Sequence, residues 1–257
     1  MESKKIVLLA GKGISTSIVF NSIHQNFGVE TAIIEEPENR KIFLRRRLKK
    51  LGFARVLGQV LFQILISKPL SVLSKKRHQE IICQFKLDPS EIPADKVVNV
   101  ISVNSKTTID LLKQINPDLI IVNGTRIISK KVLSSVNCKF INTHAGITPK
   151  YRGVHGTYWA LVNSDLENSG VTVHFVDEGI DTGNIIAQSQ VLPTENDNFS
   201  SYPLLQLGEG LKILNTAVQD FTEDRLIAKK EKKLKSFLWY HPTLWQYLYF
   251  RLRKGVK

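Results

Sequence analysis

Cysteine is nearly absent from these 257 residues: only Cys83 and Cys138 occur, far apart, with no CxxC pair and no Cys/His spacing of the zinc-binding kind. A disulfide scaffold is excluded, and no metal is expected. The N-terminus lacks a long apolar run. Met-Glu-Ser-Lys-Lys leads into a stretch ending near Ala10, too short for a signal sequence with its cleavage site or for a membrane span. The expectation is a protein of the reducing cytoplasm. Negative charge is also scarce. The 23 Asp and Glu face 36 Lys and Arg, a net +13 that favours anionic partners such as phosphorylated sugars, nucleotides, RNA or acidic lipid headgroups. Internal repeats and low-complexity tracts are lacking. Apolar content is ordinary at 42%, and the length suits one large α/β domain with an appendage or two small domains.

What is present opens as a β-α-β unit of Rossmann type. Ile6 to Ala10 reads as a buried parallel strand stopped by Gly11 and Gly13, Ser15 to Phe27 as a helix, and Thr31 to Glu35 as a second strand ended by Pro37. The alternation then breaks. From about residue 39 to 80, Arg40, Lys41, Arg45, Arg46, Arg47, Lys49 and Lys50 accompany Phe43, Leu44, Leu48 and Leu51, which predicts a basic amphipathic helix leading into a more apolar one. Strands are expected again at Val97–Val103, Asp118–Val122 and Lys139–Asn142, with helices at Thr108–Ile115 and Ser129–Ser134 between them. Val171–Val176 and Ile185–Val191 read as an antiparallel pair around a polar loop, and Leu204–Val218 as a helix. The chain becomes basic and aromatic from Lys229 onward. The predicted class is therefore α/β, with a mostly parallel twisted sheet, an antiparallel extension and a basic helical appendage; residues 1–200 are read as the main domain and 201–257 as the extension.

Chemistry gathers at one sheet edge. Asn142 and His144 end a strand, and Asp181 sits in the Asp177–Gly183 loop between two others. An amide that donates without ionising, a ring that can donate or carry charge, and a carboxylate that can handle a proton suit acyl transfer to an amine. No Ser-His or Cys-His nucleophile motif is present, which agrees with direct attack by a positioned amine.

The run Ile141-Asn-Thr-His-Ala-Gly-Ile-Thr-Pro-Lys-Tyr-Arg-Gly153, followed by Gly170-Val-Thr-Val-His-Phe-Val-Asp-Glu-Gly-Ile-Asp-Thr-Gly183, resembles the signature of folate-dependent formyltransferases. That family includes glycinamide ribonucleotide transformylase, methionyl-tRNA formyltransferase and the sugar N-formyltransferases. The resemblance covers about Lys4 to Pro193. It implies a Rossmann-like catalytic domain, 10-formyltetrahydrofolate as co-substrate, and Asn142, His144 and Asp181 as the catalytic set. It also implies a folate site formed by backbone groups around Arg126, Ile127 and Ile128, with Asp177 and Gly179 of the later loop. One departure stands out: the common Ser-Leu-Leu-Pro run after the catalytic His is Gly146-Ile-Thr-Pro149 here.

Weaker signals remain open. Gly11-Lys-Gly-Ile-Ser-Thr16 lacks the third glycine of a dinucleotide fingerprint and is no Walker loop, yet Gly11, Gly13, Ser15 and Thr16 at a helix start suit a phosphate of the acceptor. A tight turn that only packs the helix is the alternative. His155 follows a flexible loop and is a candidate acceptor contact, His174 is either packing or site support, and His24, His78 and His241 carry no signal. Glu35 at the end of the second strand is the main support for an NAD dehydrogenase, the rival enzyme reading. A non-catalytic folate or nucleotide binder is the rival outside enzymes.

Among acceptors, a nucleotide-linked amino sugar of surface-polysaccharide synthesis comes first. Glycinamide ribonucleotide comes second and tRNA third, because the residues after Pro193 read as helical rather than as a β-barrel. Finally, the basic insert and the tail, with Trp239, Tyr240, Trp245, Tyr247, Tyr249 and Phe250 among Lys235, Arg251, Arg253 and Lys254, suit an anionic membrane surface. The alternative is that they pack on each other or on a second subunit.

Overall fold

The structure, a computed structural model, describes residues 4–229 and 235–257. Continuous apolar runs make its central strands. β1 (Ile6–Gly11) is buried along nearly all its length, α1 (Ile14–Phe27) returns the chain, and β2 (Thr31–Glu35) pairs parallel to β1. The interruption that follows is wholly helical. It comprises α2 (Arg40–Leu51), α3 (Phe53–Phe62), a π-helical turn at Gln63–Ser67, α4 (Lys68–Leu73) and α5 (Lys75–Phe85). The Asn39 side chain caps α2 by accepting the Lys41 and Ile42 N–H groups, but α2 buries no residue. Its amphipathic pattern therefore has no face inside the protein. Phe53–Leu73 forms a 21-residue helical run that is long and apolar enough to cross a membrane by length and composition.

β3 (Val97–Val100) resumes the sheet, three residues shorter than the pattern predicts because the chain turns at Ile101. α6 (Lys106–Ile115) starts under the Ser105 side chain and stops where Asn116 turns left-handed ahead of Pro117. Then come β4 (Leu119–Asn123), α7 (Lys130–Leu133), β5 (Lys139–His144), β6 (Arg152–Gly153) and α8 (Gly156–Val162). β7 (Gly170–Phe175) and β8 (Ile185–Gln190) form the antiparallel extension, and α9 (Tyr202–Thr222), β9 (Leu238–Trp239) and α10 (Leu244–Lys254) follow. The sheet order is β3-β2-β1-β4-β5-β7-β8, parallel through β5 and antiparallel beyond it, the α/β architecture expected. β4 joins β1 on the side opposite β2, so the strand order reverses there and a crevice opens beyond the strand C-termini.

Two cores sandwich the sheet. α1 and α9 cover one face through Ile18, Ile23, Leu211, Leu214 and Val218, and Leu112, Ile128 and Val132 cover the other. A division at residue 200 does not follow this packing, since α9 is part of the main core. The helical insert and the chain after α9 are the parts that depart from the central body. There β9 pairs parallel with β6, and the Trp245 ring of α10 lies on Gly58 of α3. Phe62, Tyr151, Tyr158, Trp159, Phe199 and Tyr247 form a third, aromatic cluster between insert, site and tail. The insert and tail thus pack on each other. Leu214→Ala, in α9 at 1% exposure, is expected to lower unfolding free energy by about 2–5 kcal/mol in urea titration; a loss under about 1 kcal/mol, typical of an exposed site, would put α9 outside the core.

Candidate active site

Strand periodicity puts Asn142 and His144 of β5 on one face, and antiparallel pairing sets His174 of β7 directly opposite Asn142. The fourth group, Asp181, comes from the loop between β7 and β8. Its backbone is left-handed at φ 51°, a conformation Asp tolerates better than most residues.

Hydrogen bonds determine where the protons sit. The Nδ1 of His174 is 2.7 Å from the Phe175 carbonyl, which only accepts, so Nδ1 carries the hydrogen. Its Nε2 is left as an acceptor and receives an Asn142 N–H at 3.2 Å. By the same logic the His144 Nε2 donates to the Tyr151 carbonyl at 2.7 Å, and its Nδ1 faces the Asp181 Oδ2 at 3.2 Å. Burial holds His144 below the ordinary imidazole value, against the upward pull of Asp181 and the Tyr151 carbonyl. Burial also pushes the Asp181 carboxyl up, but His174, His144 and the Gly153 N–H together hold it below the usual carboxylate range. A neutral ring therefore turns a lone pair toward a carboxylate. The pair is short of one proton and is built to accept one.

The Asp181 loop is held from β6. Arg152 donates through Nη1 to the Ile180 carbonyl at 3.1 Å, and the Gly153 N–H donates to Asp181 Oδ2 at 2.9 Å. Within the loop, Asp177 Oδ1 accepts the Gly179 N–H and the Thr182 hydroxyl. Gly146 is explained locally: a Cβ there would stand 2.8 Å from His144 Nε2 and run into the Tyr151 carbonyl. No side chain fits beside that hydrogen bond.

These groups face a cavity of about 360 Å³, which takes in Asn142, His144, Asp181, Arg126, Ile127, Ile128, Asp177 and Gly179. Apolar Val122, Val176 and Ile180 join them. The volume is within the range of small-ligand sites. The Arg126 side chain does not reach in freely, since it binds Glu35 Oε2 at 2.9 Å and the Ile101 and Glu36 carbonyls. Glu35 is itself 5% exposed, and it also accepts the Arg126 and Val103 N–H groups. Both of its oxygens are committed. The dehydrogenase reading, which needed Glu35 for a ribose hydroxyl, loses its support.

The glycine turn lies beside the cavity rather than in its lining. A Cβ on Gly11 would stand 2.5 Å from the carbonyl of Gly124, a lining residue, so glycine at 11 serves a close backbone approach. The Thr16 hydroxyl donates to the Gly11 carbonyl and is buried, while Asn123 donates to Ser15 and Thr16. Thr16 is thereby structural. Gly13 caps α1 without a side-chain acceptor, and no acidic residue occupies the first turn.

His155 corrects the expectation most clearly. Its ring lies 4.3 Å from that of Phe199, and its Nε2 is 2.9 Å from His241 Nδ1, so it faces the tail rather than the cavity. Burial pulls His155 down to about 3 and His241 to about 4, leaving both neutral. His241, without signal in the sequence, gains a partner. His174 resolves as site support, a role its alternation in β7 could have given had the register with Asn142 been known.

Comparison with known proteins agrees with this geometry. A sequence profile described as formyl transferase matches residues 59–204, so it leaves out the first β-α-β unit and takes in much of the helical insert. Methionyl-tRNA formyltransferase of Caldanaerobacter subterraneus is 30% identical over 130 residues, 50% of this chain and 42% of that protein. The chain spans less than half the length of the curated relatives it matches. Among solved structures, phosphoribosylglycinamide formyltransferase from Anaplasma phagocytophilum superposes with a TM-score of 0.57 at 16% identity, covering 92% of this chain and 98% of that one. The N-formyltransferase from Helicobacter canadensis, solved with folinic acid and dTDP-3-aminofucose, gives 0.55 at 19% identity over 91% and 70% of the two chains. With more than half of its residues matched by the family profile and the fold shared with these enzymes, the chain belongs to the formyl transferase family.

Proposed function

We propose that this protein transfers a formyl group from 10-formyltetrahydrofolate to a primary amine by direct attack, and that the amine is an amino sugar carried on a nucleotide. The observation that carries the transfer reading is the convergence of Asn142, His144 and Asp181 on one cavity of mixed lining. The cavity fits a reduced folate in chemistry. Apolar Val122, Ile127, Ile128 and Val176 suit the faces of a flat heterocycle, and the Asp177 carboxylate and the backbone from Gly124 to Ile128 suit its amide-like edge. Bound there, the co-substrate supplies the formyl carbon at the amide oxidation level.

In this mechanism Asn142 donates its second N–H, which has no partner among the described residues, to the formyl oxygen as negative charge grows on it. His174 keeps the amide turned by accepting the first. The proton lost by the attacking nitrogen passes to the His144–Asp181 pair, whose facing lone pairs await it; as the tetrahedral adduct collapses, the bond from the formyl carbon to the folate nitrogen breaks and the pair returns the proton to that nitrogen, releasing tetrahydrofolate. The Tyr151 carbonyl and the Gly153 N–H hold the two partners apart at the distance one proton bridges.

The uncapped start of α1, with Gly11, Gly13 and Ser15, is assigned to a phosphate of the acceptor. Its nearness to Gly124 supports this, because that residue borders both places. Glycinamide ribonucleotide is the second reading, favoured by the nearly complete coverage of the Anaplasma protein. Transfer RNA is the third reading, since the described residues after β8 form two helices and a two-residue strand and not the β-barrel expected for it. The cytoplasm is the compartment this reading assigns. Release of tetrahydrofolate with dTDP-linked amino sugars, tested beside glycinamide ribonucleotide, decides between the acceptors. No release with any amine would leave a binding protein.

Asp181→Asn is nearly isosteric and is expected to abolish turnover while folding and folate affinity persist; near-normal turnover would remove Asp181 from the reaction. Asn142→Ala should lower kcat by about 10²-fold or more, the scale of one lost oxyanion donor, and His144→Ala by about 10²-fold or more, the scale of a lost general base. A change confined to KM would make them binding residues. The pH profile has a defined sign. Both members of the pair have folded pKa values below their ordinary ones, so the proton-accepting form persists above pH 6.5 and is lost only as pH falls below it. The acid limb of kcat should therefore lie below pH 6.5. Loss of activity as pH rises through that value would mean that a protonated His144 is the working form.

A further inference from the structure

The formyl-transfer reading leaves the helical insert without a role, and its surface is unusual. α3 and the run behind it are apolar on two sides. Val56, Phe62, Ile66 and Leu70 turn into the protein, the first two fully buried, whereas Phe53, Leu57, Val60 and Ile64 recur at helical spacing on the outside and stay 37–72% exposed. A helix that is apolar all round is normally covered all round. α10, seated on α3 through Trp245 and Gly58, extends the exposed apolar surface with Leu248, Tyr249 and Leu252.

Charge says what covers it. Residues 39–79 hold 12 Lys and Arg and no Asp or Glu, and residues 232–257 hold seven and none. The rest of the chain has 17 Lys and Arg against all 23 Asp and Glu, so the whole positive excess sits on the two segments that carry the apolar faces. Of the basic residues on α2, only Arg46 is in an ion pair among the described residues; Arg47 is instead held by Gln59. Lys50 and Arg55 lie over the Tyr240 ring, joining insert and tail. Apolar side chains with Trp and Tyr, rimmed by Lys and Arg of which only Arg46 and Arg77 have acidic partners among the described residues, match the boundary of an anionic bilayer; a protein interface would bring its own acids to this rim.

We propose that α2, α3, α4 and α10 form a docking surface that lies on an anionic lipid membrane, with α3 and α4 in the interfacial plane. The helix lies on the membrane and does not cross it. Its inner face is tied to the body by Phe62 in the aromatic cluster and by Gln59, which binds Arg47 and the His241 carbonyl. Crossing would break all of these. The proposal is independent of the acceptor, and its test does not use catalysis.

The test is co-sedimentation of the full chain with phosphatidylglycerol vesicles and with phosphatidylcholine vesicles, alongside Trp fluorescence. Binding to the anionic vesicles at low salt, weaker binding at high salt and a blue shift that Trp245→Phe removes are expected. Arg45→Gln with Lys49→Gln and Lys50→Gln should lower the partition coefficient by about 100-fold, given the strength of each basic contact with such a surface. Leu57→Gln with Ile64→Gln and Leu65→Gln should lower it about tenfold or more, with unfolding midpoints unchanged because all three side chains are exposed. Absence of binding at low salt, or equal binding to both lipids, overturns the proposal. So does sedimentation equilibrium of a dimer that the apolar triple variant dissociates, without vesicle binding; the surface would then join two copies of the chain.

Discussion

Much of the site depends on one hydrogen bond, from His144 Nε2 to the Tyr151 carbonyl. Because a carbonyl has no proton to give, this bond fixes the tautomer of His144 and leaves Nδ1 facing Asp181. It also brings the backbone of residue 151 so near β5 that only glycine fits at 146. The Gly146 departure from the common family pattern and the orientation of the imidazole are thus one constraint. A side chain at 146 would have to displace the carbonyl, and the ring would then lose the group that orients it.

The second constraint reaches the site from far along the chain. β6 supplies the Arg152 and Gly153 contacts that hold the Asp181 loop, and among the described residues β6 is paired only with β9 from the tail. The Arg152 N–H donates to the Phe237 carbonyl, and the Trp159 indole donates to the Tyr240 carbonyl at 2.9 Å. Around these bonds Tyr151 and Trp159 stack with Trp239. The tail is consequently a brace for the carboxylate, and the helices it packs against share the same aromatic cluster. The Asp181 loop and the apolar outer surface are two sides of one packed unit.

Legibility followed the range of the interactions. Strands such as β1 and β4 could be found because their runs are buried on both faces, and the ends of α6 because a serine cap and a proline mark them locally. Asn142, His144 and Asp181, which share the lining of one cavity, were singled out through two motif runs, Ile141–Gly153 and Gly170–Gly183, each of which fixes spacing and residue type together. What escaped depends on contacts distant in sequence. His155 sits one residue beyond Val154 of the cavity lining, yet a left-handed backbone at φ 59° turns it away toward His241, 86 residues on. Glu35 occupies the strand-end position of a ribose ligand, and only the fold reveals that Arg126 neutralises it. α9 reads as part of an appendage for the same reason: its apolar stripe does not say which partner it will meet.

The net charge shows how a correct number can be read too simply. A value of +13 suggests a protein made to attract anions to its active site, and both proposed small-molecule partners are anions. Yet the charge is not around the cavity. The part of the chain that holds the site is on balance acidic, and the groups facing the cavity include the Asp181 carboxylate and two imidazoles, of which burial holds His144 below its ordinary value. In the proposed reaction, attraction of anions is assigned to short-range donors, the N–H groups at the start of α1 and the backbone beside Gly124, which act at hydrogen-bond distance. A cation adjoining that pair would favour the carboxylate and lower the proton affinity the reaction needs. Arg152 already acts in this sense on His144 from its bond to the Ile180 carbonyl, and segregating the positive excess onto the insert and tail keeps it away from the pair.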